Sequence, residues 1–271
     1  MPKTQTKTIP LQSLAHARAL ARIKLLAFRS SSLSRAAFPA IINDPPAMEA
    51  WYVAREMLDL EDGPRVHFGV VGGDQDGDGS GMRVVVEEEV YELLAWARWF
   101  NLHVHLPGME EEEKTKTTGD EEEVSAAVKQ KKKEKKREDI LLRASAVPAG
   151  TVQELSRAVR EKLGEARRRY VDEERDCVLE LICTNPDHER QGYARRLLEH
   201  GLALADAAGK RVYLESTPMA VRLYEEHGWE KVDVVQWTLA DYGVAGDGDG
   251  GGKLEITLMM REPGGKRRED K

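Results

Sequence analysis

Cys177–Thr184 reads CVLELICT, and residues 185–205 continue as NPDHERQGYARRLLEHGLALA. The first eight residues are apolar and partly β-branched, and Asn185-Pro186 stops them, as expected of a buried strand. After a short loop, Ala194, Leu197, Leu198, Gly201, Leu202 and Ala205 recur at the spacing of one helix face. This helix is expected to begin around Gly192 and to end before Gly209. Its first amide groups have no partner within the helix and point one way. Together with the helix dipole they form a site for an anion. Gly192 would let a phosphate approach the backbone, and Arg190, Arg195 and Arg196 add positive charge. The plainer alternative is a turn glycine with solvated arginines. The spacing is neither a three-glycine dinucleotide fingerprint nor a P-loop.

Outward from this junction the order is regular. Arg211–Glu215, RVYLE, reads as a strand. Thr217-Pro218 looks like a helix start, with Val221, Leu223 and Tyr224 following and Gly228 as the stop. Lys231–Val235 and Lys253–Met260 alternate as two late strands, with Leu254, Ile256, Leu258 and Met260 on one face. Upstream, Gln153–Glu174 is a charged helix candidate, and Val66–Gly72, Val84–Val86 and Val90–Phe100 are strand material. The expected class is α/β, a mixed sheet with helices packed on it.

Composition narrows the classes. The chain has 271 residues, 41 Lys or Arg and 48 Asp or Glu, for a net charge of -7. Two cysteines exclude a disulfide-built domain, and 23 glycines without a three-residue period exclude a collagen-like one. No apolar run approaches the ~20 residues of a membrane span. Mild acidity argues against a protein that coats nucleic acid. The charge is concentrated: 20 of the 30 residues from Glu110 to Asp139 are charged. Residues 107–140 therefore read as a charged, low-complexity insertion without fixed structure, since it has too little apolar surface to offset its ordering entropy. Its basic run, Lys131–Arg137, is a weak candidate for a polyanion contact or a nuclear signal.

Smaller features are weighed the same way. Asp74, Asp76, Asp78 and Gly79 open like a calcium loop, but Val85 stands where the bidentate Glu belongs, so a hairpin loop is expected. His103 and His105 alternate without a third ligand nearby, so no metal is expected. Ala245–Gly252 reads as a flexible loop, and residues 263–271 as a polar tail. No acid precedes Asp44, which resembles a mitochondrial transit segment. Leu14, Ala17, Leu20, Ala21, Ile23, Leu26 and Ala27 also make an ordinary apolar face, and the first helix of the domain is the favoured reading. The expected location is cytoplasmic, with nuclear and mitochondrial addresses left open.

Two motifs now carry a resemblance. Glu189-Arg190-Gln191-Gly192-Tyr193-Ala194 follows the Gln/Arg-x-x-Gly-x-Gly/Ala signature, with Glu189 in place of Gln or Arg. Ala220–Trp229, AVRLYEEHGW, follows Ala-x-x-Leu-Tyr-Glu-x-x-Gly-Phe, with Trp for Phe. In this order and at this interval they resemble the GNAT superfamily of acetyl-CoA-dependent N-acetyltransferases. The resemblance covers Asp176 to Val235. Trp51–Met57 and Ala95–Trp99 look like fungal members, and residues 110–139 have no counterpart.

The resemblance implies a mostly antiparallel, twisted GNAT sheet flanked by helices, in one domain over residues 9–262. It implies acetyl-CoA as co-substrate and no metal. The pyrophosphate would lie on the N–H groups of Gln191, Gly192, Tyr193 and Ala194, near Arg190 and Arg195. The pantetheine would run beside Ile182, Cys183 and Thr184, and Thr217 stands where many members have Asn. An N–H near Ile182 or Cys183 would hold the oxyanion. Tyr224 would protonate the departing thiolate, and Glu180, or else Glu215, would deprotonate the amine. Both carboxylates can instead be paired structural acids, and Cys183 reads as a core thiol. A small-molecule amine is the expected acceptor. A protein or peptide acceptor, and a non-catalytic CoA-binding or interaction module, are the alternatives.

Overall fold

A computed structural model describes residues 6–61, 63–73, 82–86, 89–102, 134–245 and 252–265. The aspartate loop at 74–81, His103 and His105, Lys131 to Lys133, most of the charged insertion, the glycines at 246–251 and the tail from 266 lie outside the described residues. The strands are β1 (Thr6–Pro10), β2 (Arg65–Gly73), β3 (Arg83–Val86), β4 (Glu89–Phe100), β5 (Cys177–Thr184), β6 (Val212–Ser216), β7 (Glu230–Thr238) and β8 (Lys253–Arg261). The helices are α1 (Ala17–Phe28), α2 (Ser32–Ala37), α3 (Ala40–Asn43), α4 (Pro45–Glu61), α5 (residues 134–145), α6 (Gln153–Tyr170), α7 (Tyr193–Ala207) and α8 (Val221–Glu225). They surround one sheet of order β1-β2-β4-β5-β6-β8-β7, with β3 paired to β4. β5 and β6 run parallel, and the other described pairs are antiparallel. This is the mixed, mostly antiparallel sheet that the sequence predicts.

β5 lies at the centre, and it is irregular. Its register against β4 passes from Arg98↔Leu181 to Trp99↔Leu179, so Glu180 is an extra residue. A bulge of this kind reverses the alternation of side chains along the strand. Cys177 and Leu179 accordingly pack under α7, while Leu181 and Cys183 pack under α1. Ile182, back on the α7 side, joins the first cluster.

α7 sits unusually close to the sheet. A Cβ on Gly201 would stand 2.2 Å from Cζ2 of the buried Trp99. Gly201 is therefore a packing residue rather than a helix defect. We expect Gly201→Ala to destabilise the fold by about 1–3 kcal/mol, since an indole held on a strand cannot retreat far. Its helix propensity alone would stabilise by up to about 1 kcal/mol. A lower denaturant midpoint at unchanged slope is the expected result, and a raised midpoint would count against this packing.

The opposite face is covered by α1, α2, α4 and α6. α6 lays Leu155, Val159, Leu163 and Ala166 across Val178, Tyr213, Trp237 and Leu258. It ends at Tyr170, four residues before the expected Glu174. α4 has no counterpart in the sequence reading. Its buried side includes Glu56 beside Met48, Tyr52 and Ala54, which interrupts the apolar stripe. β1 was also missed, because TKTIP has one buried apolar residue, Ile9, and lies at the sheet edge. The charged insertion, read as unstructured to residue 140, is helical from 134: Ile140 and Ala144 are buried, and Trp51 Nε1 donates to the Ala144 carbonyl at 2.8 Å. Among the described residues no helix is long and apolar enough to cross a membrane.

Candidate functional site

The parallel ladder between β5 and β6 is short. It pairs Cys177↔Val212, Val178↔Tyr213 and Leu179↔Leu214, then stops. β5 continues to Thr184 alongside β4, while β6 continues alongside β8. The strands thus part at Glu180, the bulge residue. From there to Thr184 one edge of β5 has no strand partner among the described residues. Such an edge can hydrogen-bond an extended ligand bearing amides.

The open edge leads straight to the start of α7. Asn185 Oδ1 accepts from the Asp187 amide at 3.2 Å, and a single 3-10 turn, Pro186–His188, reverses the chain. Gly192 then caps α7 at φ +84°, a left-handed conformation suited to glycine. The Arg196 amide donates to the Gly192 carbonyl at 3.0 Å. The amides of Tyr193, Ala194 and Arg195 precede that bond and are left for an outside acceptor. Nothing lies within 4 Å of where a Gly192 Cβ would be.

The side chains around this start divide. Arg190 is exposed, at φ +59°, without an ion-pair partner among the described residues. Tyr193 donates its hydroxyl proton to Gln191 Oε1 at 3.1 Å. Arg195 pairs instead with Glu226 at 2.9 Å, and Arg196 turns to β1, onto Thr8 Oγ1 at 2.9 Å and the Thr6 carbonyl at 3.0 Å. The charge that the sequence suggested for an anion is thus largely committed within the fold. Thr217 has the backbone of a helix cap, but its side chain makes no cap bond, and a 3-10 turn precedes α8. Thr184 is half-buried beside the open edge.

Two further groups flank β5. The Cys183 thiol is buried under α1, and burial pushes its pKa up, so it is an inert core thiol. Tyr224 lies on the α7 side, its ring edge-on to Trp229 at 5.6 Å. Its hydroxyl has no hydrogen-bond partner among the described residues, and burial raises its pKa, keeping the proton on.

The other face is crowded with charge. Glu180 is ion-paired to Arg65 at 2.8 Å, Arg98 at 3.0 Å and Arg167 at 3.2 Å. Burial alone would raise its carboxyl, but Arg98, Arg65 and Arg167 outweigh it and hold the carboxyl below its usual range. A carboxylate clamped by three guanidinium groups is a poor proton acceptor, which weighs against the expectation of Glu180 as base. Arg98 continues the network to Asp59 and to Glu56 at 3.2 Å, and Lys24 meets Glu56 at 2.6 Å. Glu215 differs. Its outer side is exposed, while Arg167, Tyr213 and Glu180 surround its inner side. Desolvation of that inner side is the main cause that pushes its carboxyl up to about 7. The three arginines come from β2, β4 and α6, far apart in the chain, and nothing in the sequence near Glu180 announces them.

A cavity of about 650 Å³ lies elsewhere, lined by Arg211, Trp229, Glu230, Lys231 and Met260 among others, at the sheet end opposite Thr184. Among the described residues no group of three or more His, Cys, Asp or Glu side chains is placed to hold a metal ion.

Residues 154–231 match the family model described as Acetyltransferase (GNAT) domain. That span contains α6, the splayed pair β5 and β6, the start of α7 and Tyr224. The fold is that of a GNAT acetyltransferase. The chain is also similar to solved structures. The C-terminal condensation domain of Ebony, in complex with beta-alanyl-dopamine, has a TM-score of 0.54 at 12% identity, over 96% of this chain and 99% of its own. The ribosomal-protein-S18-alanine N-acetyltransferase from Escherichia coli has a TM-score of 0.43 at 13% identity, covering 96% and 94%. The PaiA N-acetyltransferase from Thermoplasma acidophilum, in complex with coenzyme A, has 0.42 at 8%, covering 95% and 98%. Among curated protein sequences nothing matches the chain. The family match thus contains both sequence motifs and extends upstream of them through β5 and α6.

Proposed function

We propose that the protein transfers an acetyl group from acetyl-CoA directly to an amine. The observation that carries this reading is the splay of β5 from β6, which opens a strand edge leading into the unpartnered amides of α7. The pyrophosphate would lie on the amides around Gly192, from Gln191 to Ala194, with Arg190 free to approach it. The pantetheine amides would pair along Ile182 to Thr184, beside Thr217. An amide at Ile182 or Cys183 would hold the tetrahedral oxyanion. Tyr224, protonated and on the α7 side, would give its proton to the departing thiolate.

The acceptor is proposed to be a small-molecule amine. α1 covers the outer half of β5, and α6 covers its inner half, on the face opposite Tyr224. With both halves of that face covered by helices, little of β5 is left open there for a long peptide to lie along.

Acetyl-CoA in a thermal-shift titration tests this. At ~100 times its dissociation constant it should stabilise the protein by roughly 2.7 kcal/mol. Gly192→Asp should abolish that shift, because a carboxylate would stand where the phosphates bind. No shift at millimolar acetyl-CoA would remove the reading.

A further inference from the structure

One end of the sheet is a long strand with an unpaired outer side. β7 runs for nine residues, pairs with β8, and has no second strand partner among the described residues. Val232 and Val234 are 40% and 44% exposed on it. A free edge of this length is a template for another chain. Here α6 fences it. Lys162 donates from Nζ to the Gln236 carbonyl at 2.9 Å, with its ammonium 5.4 Å from the Trp237 ring centre. Asp233 Oδ1 accepts from the Val234 amide at 2.8 Å. The Tyr170 hydroxyl holds that carboxylate by donating to Oδ2 at 3.0 Å.

These contacts are placed to act on one edge. Val234 and Gln236 are alternate residues, so their amides and carbonyls point to the same side of the strand. Their bonds to side chains mark it as the outer side. The two clasps also match in spacing. Lys162 and Tyr170 stand about 12 Å apart along α6, and Asp233 and Gln236 about 10 Å apart along β7. Upstream, the register against β8 slips between Lys231 and Asp233, so Val232 is an extra residue that further disturbs the edge. At the other end of the sheet, β1 has only five residues, and Arg196 of α7 donates to its Thr6 carbonyl at 3.0 Å.

We propose that the outer edge of β7 is the surface through which a second copy of this chain pairs, and that Lys162 and Tyr170 keep it closed in the single chain. The occupant follows from the strand itself. Two identical strands joined about a twofold axis run antiparallel. With Val234 opposite its own copy, Asp233 faces Val235 and Val232 faces Gln236, and no like charges meet. The exposed valines then lie at the centre of the joint. The Val234 amide and the Gln236 carbonyl, freed from side chains, supply the bonds between the copies.

Sedimentation equilibrium of the full chain tests this. The unmodified chain should remain a monomer at micromolar concentration. Lys162→Ala/Tyr170→Phe should dimerise roughly tenfold or more tightly, the effect of freeing one charge-assisted hydrogen bond and one neutral one. Adding Val234→Pro should return that variant to a monomer. It deletes the outward amide, and an edge position tolerates proline. If the double variant does not fold, Lys162→Ala alone decides the direction. A folded variant that stays monomeric at the highest concentration overturns the proposal. A dimer that Val234→Pro leaves intact overturns it too, because the contact then lies on another surface. An unmodified chain already paired through β7 overturns the closing role of α6.

Discussion

Tyr224→Phe is expected to slow acetyl transfer roughly 10²–10⁴-fold, the range that a positioned general acid contributes. The ring is part of the core under α7 and packs on Trp229, so Phe keeps the shape and most of the buried area. Only the hydroxyl is lost, and it has no hydrogen-bond partner among the described residues, so no buried acceptor is orphaned. Stability and acetyl-CoA affinity should therefore stay close to their original values. Burial raises the phenol's pKa, so the acid is protonated throughout the neutral range and imposes no alkaline limit there. Measuring turnover and the acetyl-CoA thermal shift side by side separates the two effects. Unchanged turnover would remove Tyr224 from the mechanism.

The largest expected loss of stability is at Glu56. Its side chain is fully buried, with Lys24 at 2.6 Å and Arg98 at 3.2 Å. Burial alone would raise its carboxyl, but these two cations outweigh it and hold it below the usual range. Glu56→Leu strands the Lys24 ammonium in a largely dry setting and takes one of three carboxylate partners from Arg98. We expect a cost of about 3–5 kcal/mol, the usual consequence of breaking a buried pair from one side. The sign of the pH response follows from the depressed pKa. The Glu56 contribution is fully present above the unfolded carboxyl value and is lost as pH falls through the lower folded value. Acid unfolding should thus begin in more acidic solution for the original protein than for the variant. The double variant Glu56→Leu/Lys24→Met should recover part of the loss, because the stranded ammonium goes too, whereas Arg98 keeps Asp59 and Glu180. A Glu56→Leu protein as stable as the original would refute the coupling.

These two expectations differ in how far the sequence alone could lead to them. Tyr224 sits in a local motif, AVRLYEEHGW, so its candidacy needs no structure. The strand Cys177–Thr184 is equally local: its apolar run, and the Asn185-Pro186 that ends it, fix both ends. Glu56 is the opposite case. Its cations come from α1 and β4, and a Glu inside a helix reads as a solvated face until tertiary partners are known. The same holds for Glu180, whose partners lie 115, 82 and 13 residues away, as Arg65, Arg98 and Arg167. Sequence placed Glu180 and Glu215 on adjacent strands but could not rank them, because their basicity depends on neighbours brought by α6 and β2. Gly201 was visible as one member of an apolar helix face. Only the position of Trp99 turns it into a point of close approach.

The extra residue in β5 also bears on how this chain can change in length. Losing Glu180 itself would restore one-to-one pairing with β4 and leave Ile182 on the α7 side and Leu181 and Cys183 under α1. One further inserted residue, unless taken up in a wider bulge, would instead exchange Ile182 with Leu181 and Cys183 and scramble two hydrophobic clusters together. Length variation is tolerable between β4 and α6, where the charged insertion is attached beside the far end of the sheet. The face pattern of β5 thus survives the loss of Glu180, while the anion that gathers Arg65, Arg98 and Arg167 does not.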